Sequence, residues 1–357
     1  MIDSEILFKH YFYVSGTSAV MRSHLSCYAQ EVLGCYPLEN GSLVLEFGSN
    51  DGTLLKVFKD LGYRTLGVDP AENLAADATA SGIFTIPQFF NKETASYITS
   101  VHGKVKLICA NHCCAHIDDF IGVLEGVKEC LSPDGIWVFE VGYLLEVFRN
   151  SLFDTVYHEH VDYHTVRPLI GCLQTHGLKL MHVTTSSIQG GALRCYVGWS
   201  NTKVQILGGH EAITNLLEAE AEAGLHLRQT FMNWNVSISR SSAEVRSLLT
   251  GLRKAGCKIA GYGAPAKATT LMYHFNLTKC DLEYIIDDNP MKQGLFSPGL
   301  HIPIVGSEQL DSNKPDYLLI LAWNFADSIM HCHANFLKQG GRFIIPLPYL
   351  RVVNSLV

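Results

Sequence analysis

The sequence predicts an α/β protein with two domains: a larger one built on a mostly parallel sheet, and a smaller α/β domain near the C-terminal end. Between residues 43 and 141, apolar strand-like runs alternate with helix-like stretches. This alternation is typical of parallel strands joined by helices. A second series of the same kind begins near Lys258. A chain of 357 residues is long enough to bury two separate cores.

The first domain is predicted to contain five strands followed by a change of pattern. After a helix near 165–176, the runs Lys179–Thr185 and Ala192–Gly198 have no helix between them, which indicates an antiparallel hairpin. A parallel sheet that ends in such a hairpin is the order of class I methyltransferases, whose sheet is Rossmann-like. An NAD-dependent dehydrogenase would ordinarily continue with another strand–helix–strand unit. The five strands are predicted at 43–48, 64–69, 83–86, 105–110 and 135–141.

A glycine turn follows the first predicted strand. Gly48 and Gly52 frame the sequence G-S-N-D-G directly after an apolar run, and glycines there let the backbone approach a ligand closely. Asp69 falls at the end of the second strand, where a carboxylate accepts hydrogen bonds from ribose hydroxyls. The arrangement predicts a site for an adenosine-bearing cofactor. The alternative is an ordinary turn between a strand and a helix.

The composition of this turn favours S-adenosylmethionine over NAD. The dinucleotide fingerprint needs a third glycine for close packing of helix on strand. Here polar Asn50 and Asp51 stand in the turn, where a pyrophosphate would meet negative charge. A sulfonium cofactor, which carries no pyrophosphate, fits this turn better.

A second glycine turn marks the C-terminal domain. Gly261 and Gly263 lie where a strand gives way to a helix, and Lys267 follows. Amide groups at a helix N-terminus and an ammonium group both attract anions, so a phosphate site is predicted. The alternative is a tight turn with a solvated Lys267.

The sequence divides into three predicted parts. They are a methyltransferase domain at 1–205 that binds S-adenosylmethionine, a helical connection at 206–254, and a substrate domain at 255–357.

A dense group of acid–base side chains follows the fifth strand. The segment F-D-T-V-Y-H-E-H-V-D-Y-H spans 153–164, on the side where α/β sheets keep their active clefts, and it predicts general acid–base chemistry. His116, after the fourth strand, is predicted to face the same cleft. A metal held by His158 and His160 is disfavoured because no third ligand has characteristic spacing. The other alternative is an exposed polar loop.

The composition argues against several classes of partner. The net charge of -7 and the lack of a basic run disfavour nucleic acid. No apolar run reaches the roughly 18 residues of a membrane helix, and no signal segment is present, so a soluble cytoplasmic protein is expected. The 11 cysteines are scattered and form no C-x-x-C pair, which predicts buried, reduced thiols.

Taken together, these motifs resemble those of C-methyltransferases that act on nucleotide-linked 4-keto-deoxysugars, the sugar C3-methyltransferase family. The resemblance extends from about Tyr11 to Pro348. Its motifs are E-F-G-S-N-D-G at 46–52, Asn111 with Ala115-His116, F-D-T-V-Y-H-E-H at 153–160, Gly190-Gly191 with Leu193-Arg194, Y-G-A-P-A-K at 262–267, Asp287 with Asn289-Pro290, and Ala322-Trp323-Asn324.

The resemblance implies roles for individual residues. It implies catalysis by His160, Tyr157, Glu159 and His116. It implies an S-adenosylmethionine site at Glu46, Gly48, Asn50, Asp51, Gly52, Asp69 and Asn111. It implies contacts to a nucleoside-diphosphate ketosugar by Gly263, Lys267, Asp287, Asn289, Trp323 and Asn324.

The chain also departs from the family pattern. Such enzymes usually begin with a cysteine-rich zinc module, whereas this sequence starts near the point where that module would end, so no structural zinc is expected. Gln189 stands where a histidine commonly precedes two glycines, and Asp288 stands where a basic residue often follows Asp287. Both positions are candidates for contact with the substrate.

The chemistry of such an enzyme explains these residue types. A carbon beside a ketone is a weak acid, so its proton must be removed and the enolate stabilised before the carbon attacks a methyl group. His160 is the expected base and Glu159 the group that orients it, while Tyr157 and His116 are expected to hydrogen-bond the oxygen. Two alternatives stay open: methylation of another enolisable small molecule, and a non-catalytic protein that binds a nucleotide sugar.

Overall fold

The structure is a computed structural model, and it describes residues 4–355. The chain forms two compact units. The first contains the residues up to Glu146 together with His158–His226, and the second contains Val147–Tyr157 together with the residues from Leu227 onward. The functional domain boundaries expected at residues 205 and 254 stay predictions.

The first unit is built on a seven-stranded sheet. Its strands are β1 (Leu43–Phe47), β2 (Arg64–Val68), β3 (Thr85–Ile86), β4 (Val105–Asn111), β5 (Leu131–Gly142), β6 (Leu178–Ser186) and β7 (Ala192–Trp199). The order across the sheet is β3-β2-β1-β4-β5-β7-β6. Neighbours run parallel, except that β7 is antiparallel to both β5 and β6. The α/β class and the class I methyltransferase fold predicted from the sequence are therefore confirmed.

The central strand β1 is buried along its whole length. Side chains alternate between the two faces of a strand. Accordingly, Leu45 and Phe47 pack in one apolar core, while Val44 packs in the other. Burial on both faces is typical of a parallel sheet covered by helices on each side. The carboxyl ends of the strands are left as the edge where polar loops can gather.

The helices follow the strands in the alternation expected from the sequence. They are α1 (Ser4–Phe8), α2 (Ala19–Cys35), α3 (Thr53–Asp60), α4 (Glu72–Ala80), α5 (Lys92–His102), α6 (Phe120–Cys130), α7 (Leu144–Arg149), α8 (Val166–Thr175), α9 (Gly209–Glu222), α10 (Arg228–Lys254), α11 (Ala266–His274), α12 (Gln309–Ser312), α13 (Ala326–Cys332) and α14 (Ala334–Lys338). Short 3-10 helices occur at Ser15–Thr17, Cys114–His116, Phe153–Thr155, Ile188–Gly190 and Trp323–Phe325. Within residues 4–355, no helix has both the length and the hydropathy that crossing a membrane requires.

The second unit contains a six-stranded sheet. Its strands are β8 (Ile259–Tyr262), β9 (Ile285–Ile286), β10 (Ile304–Val305), β11 (Tyr317–Ile320), β12 (Arg342–Ile345) and β13 (Arg351–Val353), in the order β10-β9-β8-β11-β12-β13. All neighbours are parallel except β12 and β13. The sequence did not predict β10 and β13, the strands of two and three residues at the two edges of this sheet.

A buried carboxylate supports the start of α8. Thr165 precedes this helix without a capping hydrogen bond from its side chain. Glu220, on α9, is 4% exposed and accepts hydrogen bonds from the Val166 amide at 2.6 Å and the Tyr143 hydroxyl at 3.0 Å. Glu220 thus supplies the acceptor that the cap lacks, and its negative charge lies near a helix N-terminus, where it is favourable.

We predict that Glu220→Ala lowers the free energy of unfolding by about 2–3 kcal/mol, because it leaves buried donors without an acceptor. Urea unfolding followed by circular dichroism measures the change. Glu218→Ala, on the exposed side of α9, is the matched control and should change stability by less than about 0.5 kcal/mol. Equal effects of the two substitutions would contradict a stabilising role for these hydrogen bonds.

Candidate functional site

The turn after β1 needs its glycines. Gly48 has φ +65° and Gly52 has φ +74°, values in the left-handed region that favours glycine. A Cβ atom added to Gly48 would lie 2.6 Å from the Cβ of Cys113. Gly52 is also the N-cap of α3. The backbone conformation therefore requires glycine at both positions, and the contact of this turn with a cofactor stays a prediction.

Asp69 links this turn to the next one. It lies just after β2, is 7% exposed, and accepts hydrogen bonds from the Asn50 amide at 2.7 Å and the Ala71 amide at 2.9 Å. Burial raises the pKa of Asp69, and the two amide hydrogen bonds oppose that rise. Each carboxylate oxygen has more than one acceptor site. The group can therefore hold the two turns and still accept a hydrogen bond from a ligand.

Glu46 and Asn111 form a buried polar pair beside the turn. The Asn111 side-chain amide donates to Glu46 Oε1 at 3.3 Å. Burial raises the pKa of Glu46 well above its usual value. Within the described part of the chain, Glu46 Oε2 and Asn111 Oδ1 are buried without a hydrogen-bond partner. Unpaired buried polar atoms are unfavourable in a folded protein, so this pair fits a site that a polar ligand completes.

Asn50 and Asp51 contact the protein's own N-terminal segment. Asn50 Oδ1 accepts a hydrogen bond from the Ser15 amide at 2.9 Å, and Asp51 Oδ2 accepts one from the Gly16 amide at 3.0 Å. The other oxygen of Asp51 accepts from the Thr53 hydroxyl at 2.8 Å. Their assignment to the cofactor stays a prediction. In the structure, both side chains accept hydrogen bonds from backbone amides of the N-terminal segment.

A cavity of about 780 Å³ lies beyond the ends of β2 and β3. Ligand pockets of proteins commonly have volumes of about 300–1,000 Å³. Its lining includes Pro70, Thr85 and Ile86 from the strand ends, and Glu5 and Lys9 from the N-terminal segment. Pro70, which follows Asp69 in the chain, lines this cavity. The cavity therefore lies near the strand ends where folds of this class hold a nucleoside.

The acid–base segment is divided between the two units. Tyr157 is the last residue of the part that belongs to the second unit, and His158 begins the part that belongs to the first. In the first unit, the Val161 amide donates to the Ala115 carbonyl at 2.8 Å. This bond brings the segment against the loop that follows β4, where His116 lies.

Within the first unit, three predicted catalytic residues come together. His116 Nδ1 lies 2.8 Å from the Glu159 carbonyl oxygen, and the rings of His116 and His160 have centroids 4.9 Å apart. The Tyr11 hydroxyl donates to Glu159 Oε2 at 3.3 Å. Tyr11 was not predicted as a site residue, because 148 residues separate it from Glu159.

His116 is a neutral imidazole near neutral pH. Burial is the main cause that lowers its pKa to about 4, and the neighbouring His160 adds to the effect. Since a carbonyl only accepts hydrogen bonds, Nδ1 carries the proton and donates to Glu159. In a neutral ring the other nitrogen, Nε2, then has a lone pair and no proton. The predicted role of His116 as a donor to an enolate oxygen would need a protonated ring.

The turn after β8 has a backbone conformation that requires glycine at position 263. Gly263 has φ +89°, and a Cβ atom there would lie 2.6 Å from the Cβ of Ala322. Asp287 accepts hydrogen bonds from the amides of Ala264 at 2.7 Å and Asn289 at 2.9 Å. Lys292, which was not predicted from the sequence, places Nζ 3.0 Å from the Ala264 carbonyl and 3.2 Å from Asp287 Oδ2. The cation beside this turn is therefore ion-paired with Asp287.

Lys267 contacts other side chains of the second unit. Its Nζ lies 3.5 Å from Asp154 Oδ2 and 5.2 Å from the centroid of the Trp323 ring. Trp323 Nε1 donates to the same Asp154 oxygen at 2.7 Å. Burial lowers the pKa of Lys267, and Asp154 opposes that effect. Lys267 is thus an ion-paired residue in contact with an aromatic ring. Asn324 Oδ1 is buried without a described partner.

The two positions that depart from the family pattern both have partners within their own units. Gln189 forms a side-chain hydrogen bond with Tyr13, whose pKa is raised chiefly by burial. The Tyr262 hydroxyl lies 2.8 Å from Asp288 Oδ2 and 2.6 Å from His333 Nε2. Asp288 is therefore part of a tyrosine–histidine–carboxylate group at the ends of β8 and β9. Contact of either position with a substrate stays a prediction.

One set of three possible metal ligands occurs among the described residues, with ligand atoms within 4.8 Å of one another: His24, His112 and Glu140. The Nε2 atoms of the two histidines lie 2.5 Å and 3.1 Å from Glu140 Oε1. Arg194 donates to the other oxygen at 3.0 Å and 2.8 Å. Burial opposes ionisation of Glu140, but the histidine hydrogen bonds and Arg194 outweigh it and lower its pKa. The carboxylate is satisfied by these partners without an ion.

Two family models match consecutive parts of the chain. Residues 187–348 match the family described as the C-methyltransferase C-terminal domain, and residues 21–183 match a family described as a methyltransferase domain. Among solved structures, an S-adenosylmethionine-dependent methyltransferase from Anabaena variabilis is 15% identical over 53% of this chain and 88% of its own, with a TM-score of 0.42. A chain from the complex of the Haloferax volcanii Trm112 activator with a putative methyltransferase is 16% identical over 52% of this chain and 94% of its own, also with a TM-score of 0.42.

A curated relative matches over nearly the full length of the chain. C-methyltransferase NovU from Streptomyces niveus is 36% identical over 355 residues, which are 99% of this chain and 84% of NovU. The aligned region includes both glycine turns and the acid–base segment. The chain therefore belongs to the C-methyltransferase family.

Proposed function

We propose that this C-methyltransferase transfers a methyl group to the carbon beside the ketone of a nucleotide-linked 4-keto-deoxysugar, through an enolate. The observation that carries the proposal is the meeting of His116, Glu159 and His160 within the first unit. That unit also holds the glycine turn after β1. A carbon acid needs a positioned base before it can attack an electrophilic methyl group.

S-adenosylmethionine is the methyl donor. When bound, it supplies a methyl group on a sulfonium centre. The residues that would hold it are Glu46, Gly48, Asp69 and Asn111, since the first and last have buried oxygen atoms without a described partner. Asp69 retains acceptor sites for ribose hydroxyls. The cavity beyond β2 and β3 supports an adenosine position there.

Within the proposed reaction, His160 removes the proton from the substrate carbon. Glu159 orients the site through two contacts, its carbonyl to His116 and its carboxylate to the Tyr11 hydroxyl. Neutral His116 has no proton to offer from Nε2, so Tyr157 is the proposed donor to the enolate oxygen. A site that holds the substrate carbon next to the methyl group of a bound donor would gain a large share of the rate advantage from positioning.

The nucleoside-diphosphate part of the proposed substrate is assigned to the second unit. The turn at Gly263 supports an anion there, and the Lys292 ammonium group lies beside it, paired with the Asp287 carboxylate. The ion pair of Lys267 with Asp154 weakens one predicted phosphate contact. It favours, as a second candidate, another enolisable small molecule that carries less phosphate. A non-catalytic binding protein is disfavoured, because it would not need the cluster around His116 and His160.

A cytoplasmic location is part of the proposal. All of the described cysteines are free thiols, the state expected in a reducing compartment.

We predict that Asp69→Ala weakens S-adenosylmethionine binding about 10- to 100-fold, the loss expected for hydrogen bonds to a charged acceptor. Isothermal titration calorimetry measures the affinity, and Asp77→Ala on the exposed side of α4 is the control. Unchanged affinity, or tight binding of NAD in place of S-adenosylmethionine, would refute the assignment of the cofactor to this turn.

A second prediction concerns the proton that leaves the substrate. His160→Ala should reduce methyl transfer by roughly 100-fold or more, the usual contribution of a positioned base, while cofactor binding stays nearly intact. Mass spectrometry of the substrate in D2O, with S-adenosylhomocysteine in place of the methyl donor, isolates the proton step. Wild type should exchange the proton and His160→Ala should not.

The same exchange experiment distinguishes the neighbouring residues. If exchange persists in His160→Ala but disappears in His116→Gln, the lone pair of His116 Nε2 is the base. If exchange occurs with a non-phosphorylated ketone as readily as with a nucleotide-linked ketosugar, the second candidate substrate is the better one. Loss of exchange in Tyr157→Phe, with the two histidines intact, would fit its role as the donor to the enolate oxygen.

We also predict a pH dependence of stability from His116. Its pKa falls from 6.5 in the unfolded chain to about 4 in the folded protein. The unfolded state therefore binds the proton more tightly, and stability is lost as the pH falls from 6.5 towards 4. Between about pH 7 and pH 5, urea unfolding of wild type should lose about 2 kcal/mol more than His116→Gln. His210→Gln, at an exposed position, should follow wild type; a His116→Gln profile parallel to wild type would contradict the prediction.

A further inference from the structure

Residues 9–18, which we call the N-terminal strap, lie against the loops that follow β1 and β2. None of the strap's side chains is buried, and Phe12 is 88% exposed. The strap is attached mainly by hydrogen bonds to polar side chains of these loops and of α4. A segment with few buried apolar contacts opens at a lower free energy than the core does.

The first attachment is at the glycine turn. The Ser15 amide donates to Asn50 Oδ1 at 2.9 Å, and the Gly16 amide donates to Asp51 Oδ2 at 3.0 Å. The Asn50 side-chain amide in turn donates to the Tyr13 carbonyl at 2.9 Å. Both polar side chains of the turn therefore bond the backbone of the strap.

The second attachment is at the start of α4. The Tyr11 amide donates to Asn73 Oδ1 at 3.2 Å, and Asn73 Nδ2 donates to the Tyr11 carbonyl at 3.0 Å. The Glu72 amide donates to the Lys9 carbonyl at 3.0 Å. One asparagine thus bonds both backbone groups of one residue of the strap, as a neighbouring strand would.

The two attachments lie on either side of Asp69 along the chain. Asp69 itself bonds the amides of Asn50 and Ala71, which belong to the two loops that the strap joins. Lys9, at the start of the strap, lines the cavity beyond β2 and β3. The strap therefore extends along the edge where the ribose and the adenosine of the cofactor are expected.

We propose that the N-terminal strap closes over bound S-adenosylmethionine and must open to admit or release it. This inference rests on the proposed cofactor site. Asn50, Asp51 and Asn73 then act as positioning residues, which retain the cofactor through the strap. Closure also places the Tyr11 hydroxyl on Glu159, so the strap that retains the cofactor also contacts the acid–base cluster.

Gly16→Ala tests the proposal without altering a side chain of the cofactor site. A Cβ atom there would lie 2.3 Å from Asp51 Oδ2 and 2.6 Å from Thr53 Oγ1, so it displaces the strap from the turn. Gly34→Ala, on α2, is the matched control, because its Cβ meets no atom within 4 Å. Asn73→Ala removes the second attachment from an exposed position and serves if Gly16→Ala fails to fold.

The rate of S-adenosylhomocysteine release is the decisive measurement. We expect release to be about tenfold faster in Gly16→Ala and Asn73→Ala, as for the loss of one or two hydrogen bonds, and unchanged in Gly34→Ala. The ligand should also slow tryptic cleavage after Lys9 in wild type but not in Gly16→Ala. Equal release rates in wild type and both strap variants would overturn the strap proposal. Failure of wild type to bind S-adenosylhomocysteine would instead overturn the cofactor site.

Discussion

The first unit depends on the two hydrogen bonds that the Asp69 carboxylate accepts from the amides of Asn50 and Ala71. These bonds fix the loop after β1 relative to the loop after β2. The first loop carries Asn50, whose side chain bonds the N-terminal segment. The second loop leads into α4, where the side chain of Asn73 bonds the same segment. A single buried carboxylate therefore sets the geometry of the proposed cofactor edge and of the segment beside it.

The acid–base cluster follows a different constraint, which is the burial of an imidazole. Because His116 is buried beside His160, its ring is held neutral, and its single proton is used to bond the Glu159 carbonyl. That bond fixes the backbone just before His160. The tautomer of His116 with its proton on Nδ1 thus fixes the backbone at Glu159 and leaves a lone pair on Nε2.

Much of the fold follows from local patterns in the sequence. The strands at Leu43–Phe47 and Arg64–Val68, and the hairpin formed by β6 and β7, agree with their predicted positions because buried strands and glycine turns leave strong local signals. The short strands β10 and β13 carry no such signal. Their pairing depends on neighbours elsewhere in the chain.

The candidate site likewise contains residues that local sequence patterns predict and contacts that they do not. The residue types at Gly48, Asp69 and His116 could be chosen from their places after strands. The contact of Tyr11 with Glu159 could not be foreseen, because no periodicity relates residues 148 positions apart. The burial of Lys267 is a similar case. The sequence predicted an anion site at this lysine, with a solvated side chain as the alternative, and only the fold brings Asp154 and Trp323 against it.

That ion pair has a consequence for how the protein can be divided or recombined. Asp154 belongs to the stretch Val147–Tyr157, which joins the second unit although it interrupts the sequence of the first. A fragment beginning at Leu227 would lack Asp154 and leave the Lys267 ammonium group without its counter-ion. It would also leave the Trp323 indole without its acceptor. The C-terminal unit is therefore not a contiguous cassette, and a chimera that exchanges it between relatives must carry the inserted stretch as well.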